Sequence, residues 1–120
     1  MHTIAQLRSF DKAAADAGMT EDEIEHLCTL LANDPAAGDE ISGTGGCRKL
    51  RLAGRGKGKR GGYRVVTFFT GNLLPVFLIT VFAKGERSDL TQSERNALKE
   101  ITKKIVLAYS TRVVRVGDAS

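Results

Sequence analysis

Between Arg48 and Arg64 the chain reads RKLRLAGRGKGKRGGYR, with eight Lys or Arg among seventeen residues and no acidic residue. Fixed cations interrupted by glycines suit one kind of chemistry, the handling of phosphates. Guanidinium groups grip phosphate oxygens two at a time and ammonium groups act as point charges. Glycine lets the backbone come close to a polyanion, so that its amides can donate to it. Lys49 and Arg51 alternate with Leu50 and Leu52, which is the period of a half-buried strand, so both cations project from one face of a rigid element. Arg64 starts the next strand-like run and is expected beside them. Arg48, Arg55, Lys57, Lys59 and Arg60 add cations for nucleic-acid phosphates. Tyr63 is the one aromatic within reach for base stacking. The competing readings are a merely solvated loop for the glycine-rich run and edge packing for Tyr63.

Several other chemistries do not fit the residue types. A phosphate-binding Walker loop needs Ser or Thr after its lysine, whereas Lys59 is followed by Arg60. A histidine-pair ribonuclease needs two histidines at the site, and His2 and His26 both lie outside the basic run. His26 also falls off the apolar stripe of its helix and is expected at the surface. Cys28 and Cys47 have neither metal nor redox spacing and are expected as free thiols, so no metal ligand set and no cofactor are expected.

The elements that must hold these cations are legible from periodicity. Thr3 to Leu7 reads as a short strand. Ser9 is placed to cap a helix that Gly18 closes. Thr20 and Glu23 form a capping box, followed by Ile24, Leu27, Cys28 and Leu31 on one helical stripe. Pro35 ends that helix near Asn33. Residues 36–46 form a loop, and the alternating strand of Leu50 and Leu52 follows. Tyr63 to Thr70 is β-branched and aromatic, as a strand requires. Val76 to Ala83 is almost wholly apolar, as expected of a strand covered on both faces. Thr91 and Glu94 repeat the capping box, and Leu98, Ile101, Ile105 and Ala108 are expected as the inner face of the last helix. Helices, three or four antiparallel strands and a final helix give an α+β fold, a small antiparallel β-sheet backed by N-terminal helices and a C-terminal helix.

Size and charge agree with one such unit. At 120 residues, 42% hydrophobic and 27% charged, the sequence is that of a single globular domain spanning 1–120. The net charge of +4 hides a strong asymmetry, since residues 1–47 carry nine acidic and two basic side chains. That polarity points to an anionic partner at one surface. No apolar run is long enough to span a bilayer and no signal peptide is visible, so a cytoplasmic protein with no membrane association is expected.

The string DPAAGDEISGTGGCRKLRLAGRGKGKRGGYRVV, followed by the apolar strand and FAKGERSDLT, resembles the RelE/HigB superfamily of type II toxin–antitoxin toxins, and within it the HigB-like branch. The resemblance covers roughly residues 20–108 and lies in the order of GTGG-x-RK-x-R, GKGKRGG-x-R and AK-x-E-x-x-DL. It implies a RelE-like fold and metal-independent, ribosome-dependent cleavage of mRNA that halts translation and growth. It implies as partners the ribosome with its message and a cognate helix-turn-helix antitoxin, HigA-like, that neutralises the toxin. Family functional positions match Lys49, Arg51, Arg64 and, after the central apolar strand, Lys84. Familiar RelE members carry an arginine after that lysine and a tyrosine a few residues on, where this chain has Gly85 and Thr91. The chemistry then rests on lysine and arginine. Lys84 is placed to exchange a proton, Glu86 is a candidate proton acceptor, and Arg87 is a further RNA-binding cation. An ion pair between Glu86 and Arg87 is the plainer alternative. Two other functions remain open, a gyrase-directed toxin of the ParE type and an RNA- or ribosome-binding module without chemistry.

Overall fold

The longest strand, an inner one, explains the layering. Val76–Ala83 is buried along nearly its whole length because helices cover both of its faces. The computed structural model describes residues 2–54, 62–71, 73–85 and 89–118, with side chains through Tyr109. In chain order the elements are β1 (Ile4–Gln6), α1 (Arg8–Ala17), α2 (Glu21–Asn33), β2 (Asp39–Glu40), β3 (Cys47–Leu52), β4 (Tyr63–Phe68), β5 (Val76–Ala83) and α3 (Gln92–Asp118). The sheet order is β1-β5-β4-β3-β2. Four strands pair antiparallel, but β1 runs parallel to β5, so the five-stranded sheet is mixed rather than wholly antiparallel. The α+β class holds.

One face of the sheet packs Val65, Val76, Leu78 and Val81 against Phe10 and Ala14 of α1 and Leu27 and Leu31 of α2. The other face packs Val66, Phe68, Phe77 and Ile79 against Leu90 and Leu98, with Ile105 and Tyr109 alongside. The Tyr109 ring meets Phe77 edge-on at 5.1 Å between centroids. Both capping boxes form. Thr20 and Glu23 exchange bonds at the start of α2, and Thr91 and Glu94 do so before α3.

Ser9 does not cap α1. Leu7 occupies the cap position without a side-chain bond, and the Ser9 hydroxyl donates to the Ile79 carbonyl at 2.6 Å. Ala108 is exposed, contrary to expectation, and Thr102 takes its place on the inner face of α3. The Thr102 hydroxyl lies 3.1 Å from the Thr44 carbonyl and so ties α3 to the turn before β3. A threonine satisfied in this way serves as a core residue, which a purely apolar stripe does not reveal.

The pairing of β4 with β5 contains a one-residue slip. Val66 faces Thr80, but Thr67 faces Leu78, which leaves Ile79 as an extra residue on β5. Such a bulge switches which face later side chains point to. Before it, Val76 and Leu78 point to the α1–α2 side; after it, Phe82 points to the α3 side. The carbonyl that Ser9 satisfies belongs to this extra residue.

Candidate active site

Register brings the separated cations together. Arg51 of β3 lies directly opposite Arg64 of β4, and Arg64 lies opposite Phe82 of β5. Cross-strand partners share a face, and that face is the α3 side, to which Phe82 contributes. Lys49 is two residues before Arg51 and opposite Val66, on the same side. Beyond β5 the Lys84 amide donates to the Gly62 carbonyl at 3.1 Å, continuing the ladder. Alternation from Phe82 then directs Lys84 to the Arg64 side. Without the bulge, Lys84 would face α1 and α2.

Leu90 and the inner residues of α3 close over the Cys47, Phe68 and Phe77 end of this face. The cations occupy the other end. Arg51 is exposed, and Lys49, Arg64 and Lys84 are half-buried. Like charges directly across a ladder repel, and Arg64 Nε is buried with no hydrogen-bond partner among the described residues. Both features are costs that a bound anion would offset. An open groove of about 430 Å³ lined by Gly45, Lys99, Thr102 and Val106 lies elsewhere and contains none of the four cations.

Two local devices set the edge of the site. Gly62 has φ of +65°, and a Cβ there would stand 2.1 Å from the Leu52 carbonyl oxygen, so only glycine allows the chain to enter β4 this close to β3. Next to it, Tyr63 is 1% exposed and its hydroxyl donates to Glu23 at 2.9 Å. Tyr63 is therefore a core residue and has no ring face for a base, which corrects the stacking role expected of it. Arg48 points to the opposite face from Lys49, and its guanidinium donates to the Gly38 carbonyl at 3.1 Å. It does not join the quartet. Arg55, Lys57, Lys59, Arg60, Glu86 and Arg87 lie outside the described residues.

Sequence reasoning assigned no role to Asp89. Its carboxylate accepts the Leu90 amide at 2.7 Å, Lys49 Nζ at 3.3 Å and Arg95 Nη2 at 3.4 Å. The Leu90 amide does most to hold the Asp89 carboxyl below its usual range; burial opposes it, and the Lys49 hydrogen bond and the Lys49 and Arg95 charges add to the lowering. The available signal was its place just ahead of a capping box, from which a side chain reaches back to the sheet.

A family model described as the RelE toxin of the RelE/RelB toxin–antitoxin system matches residues 3–118. The chain belongs to the RelE toxin family. Among solved structures, it is similar to the free state of an Escherichia coli RelE toxin in which two arginines are replaced by alanine. That likeness has a TM-score of 0.51 at 17% identity and covers 84% of this chain and 96% of the other. It supports the RelE fold. Membership in the RelE family makes this chain a toxin of a toxin–antitoxin system, with a cognate antitoxin as its partner. Among the described residues no helix is long and apolar enough to cross a membrane.

Proposed function

We propose that this RelE-family toxin is of the HigB-like branch and cleaves mRNA on the ribosome, in the cytoplasm, without a metal or a small-molecule cofactor. The observation that carries the reading is the Arg51–Arg64 cross-strand pair, flanked on one face by Lys49 and Lys84. Two arginines set opposite each other on one face of the ladder, despite the repulsion of like charges, suit the receipt of a phosphodiester.

In this scheme the ribose 2′-oxygen attacks the adjacent phosphorus and loses its proton. The bond to the 5′-oxygen breaks, and that oxygen takes up a proton, leaving a 2′,3′-cyclic phosphate and a 5′-hydroxyl. Arg51, Arg64 and Lys49 stabilise the charge that builds on the phosphorane oxygens. Lys84 supplies the proton to the leaving oxygen, and Glu86 is assigned as its acceptor from the 2′-hydroxyl. No strong base stands among the four cations, which fits a reaction in which the ribosome aligns the message and positioning supplies much of the rate. The HigA-like helix-turn-helix antitoxin silences the toxin by covering this face or by keeping it from the ribosome.

Primer extension on mRNA in a translation extract tests the proposal. New 5′ ends within the ribosomal A site, absent with Arg64→Ala, are expected. Stalled ribosomes on intact message, or inhibited DNA supercoiling with no new ends, would overturn it. Purified protein alone should cut free RNA poorly.

A further inference from the structure

We infer that Asp89 is a positioning residue for Lys49: its carboxylate fixes the lysine ammonium over the cationic face, at the place where the phosphate of the cleavage reaction is to be held. The inference rests on the nuclease reading above and gives a role at that same site to Asp89, which the AK-x-E-x-x-DL motif contains but to which neither the charge pattern nor the resemblance assigned one.

The geometry separates Asp89 from an ordinary surface ion pair, which contributes little because two long side chains must be ordered at once. Here the carboxylate is already ordered. It accepts the Leu90 amide at 2.7 Å, and Arg95 on the first turns of α3 holds its second oxygen at 3.4 Å. Only the lysine remains to be fixed, and its Nζ lies 3.3 Å away, with the side chain 29% exposed. Lys49 needs such an anchor. Arg51 shares its face two residues on and Arg64 stands across from Arg51, so without a counter-charge the ammonium would swing toward solvent. Among the described residues, the charged groups around it are Asp89 from the segment before α3, Arg95 from α3, Arg51 on its own strand, Arg64 on β4, and Asp39, its register partner on β2. Of the two acids, Asp89 makes the contact.

An anchor of this kind has a distinctive kinetic signature. Removing the negative charge leaves the toxin slightly more cationic, so its grip on the ribosome should not weaken. The chemical step should slow, because Lys49 is no longer held over the scissile phosphate, and misplacements of about 1 Å cost on the order of a hundredfold.

The test uses Asp89→Asn, which keeps an oxygen for the Leu90 amide. Single-turnover cleavage on programmed ribosomes is expected to slow by about ten- to a hundredfold, with ribosome affinity equal or tighter. In a Lys49→Ala background the same substitution should have no further effect. Arg95→Gln, which removes the weaker of the two bonds ordering Asp89 but keeps the Leu90 amide and the Lys49 contact, should slow cleavage far less. Equal losses from Arg95→Gln and Asp89→Asn, or additive losses with Lys49→Ala, would overturn the assignment. A second measurement does not depend on activity: the NMR order parameter of the Lys49 ammonium should exceed that of the exposed Lys104 and fall to its level in Asp89→Asn. If the wild type fails to cleave on ribosomes while this ordering is observed, the nuclease reading has failed and the anchor stands. If the wild type cleaves and Lys49 is no more ordered than Lys104, the anchor is wrong.

Discussion

The Tyr63 hydroxyl donates to the buried Glu23 carboxylate at 2.9 Å, joining the first residue of β4 to the first turn of α2. The same carboxylate oxygen also accepts the Thr20 amide at 2.9 Å. One acid thus caps a helix and pins the strand on which Arg64 is the second residue. Tyr63→Phe removes a hydrogen bond to a buried acid and should cost about 1.5–3 kcal/mol in urea denaturation. If Tyr63 instead stacked on a base, that variant would be as stable as wild type.

Arg51 and Arg64 oppose each other across β3 and β4, so function and stability should pull in different directions there. Arg51→Ala is expected to leave the unfolding free energy measured in urea unchanged or raise it by up to about 0.5 kcal/mol, because a like-charge pair is removed at an exposed site. The same variant should lose most growth arrest when expressed without antitoxin. Arg64→Ala and Lys84→Ala should abolish arrest while circular dichroism still reports the folded protein. Retained toxicity in Arg64→Ala would count against the quartet as the reaction centre.

Most of the elements were legible in the sequence because local rules decide them. Both capping boxes, Gly18 as a helix stop and the apolar run Val76–Ala83 follow from side-chain chemistry within a few residues. Lys49 and Arg51 on one face follow from strand alternation alone. The facing of Lys84 does not. It depends on the extra residue Ile79, and a bulge is a property of two strands in register that no period within one of them reveals. Tyr63 and Asp89 were misread or missed for the same reason. Their partners, Glu23 and Lys49, are 40 residues away in each case.

Gly85 marks the departure from the arginine that familiar RelE members carry after the lysine. It does not adopt a left-handed conformation, and a Cβ there would meet nothing within 4 Å. Gly85→Arg should therefore fold with a stability change within about 0.5 kcal/mol. It adds a cation beside Lys84, so binding to a single-stranded RNA oligonucleotide should tighten and its logarithmic salt slope should steepen by up to about 0.7. An unchanged slope would mean that this position does not face the nucleic acid.

Cys47 is fully buried, and burial pushes its thiol up to about 11, partly opposed by a hydrogen bond with the Thr44 side chain. The folded protein therefore keeps the proton after the unfolded chain has lost it. The stability linked to this group is complete below the ordinary value near 9 and is lost as pH rises toward about 11. Urea midpoints of wild type should fall between those pH values more steeply than midpoints of Cys47→Ala, whatever constant offset the smaller side chain brings. Parallel pH profiles would show that the thiol is not protected from ionisation in the fold.

The bulge at Ile79 links a residue of α1 to the placement of Lys84. An extra strand residue leaves its backbone outside the regular ladder, and a buried carbonyl without a donor costs about 1–3 kcal/mol. Ser9 supplies that donor at 2.6 Å, while Leu7 donates its amide to the adjacent Leu78 carbonyl at 3.1 Å. The start of α1 therefore holds the slip in place from the side. Ser9→Ala should destabilise the protein by about 1–3 kcal/mol and weaken hydrogen-exchange protection around Ile79 and Thr80 before it affects β3. Because Phe82 and Lys84 owe their facing to the slip, the activity of Ser9→Ala on ribosomes should fall more than that of Thr29→Ala, a substitution on the exposed side of α2. Cleavage by Ser9→Ala at the wild-type rate, with exchange at Ile79 and Thr80 unchanged, would show that the bulge is held by the β4–β5 pairing alone and that α1 has no part in aiming Lys84.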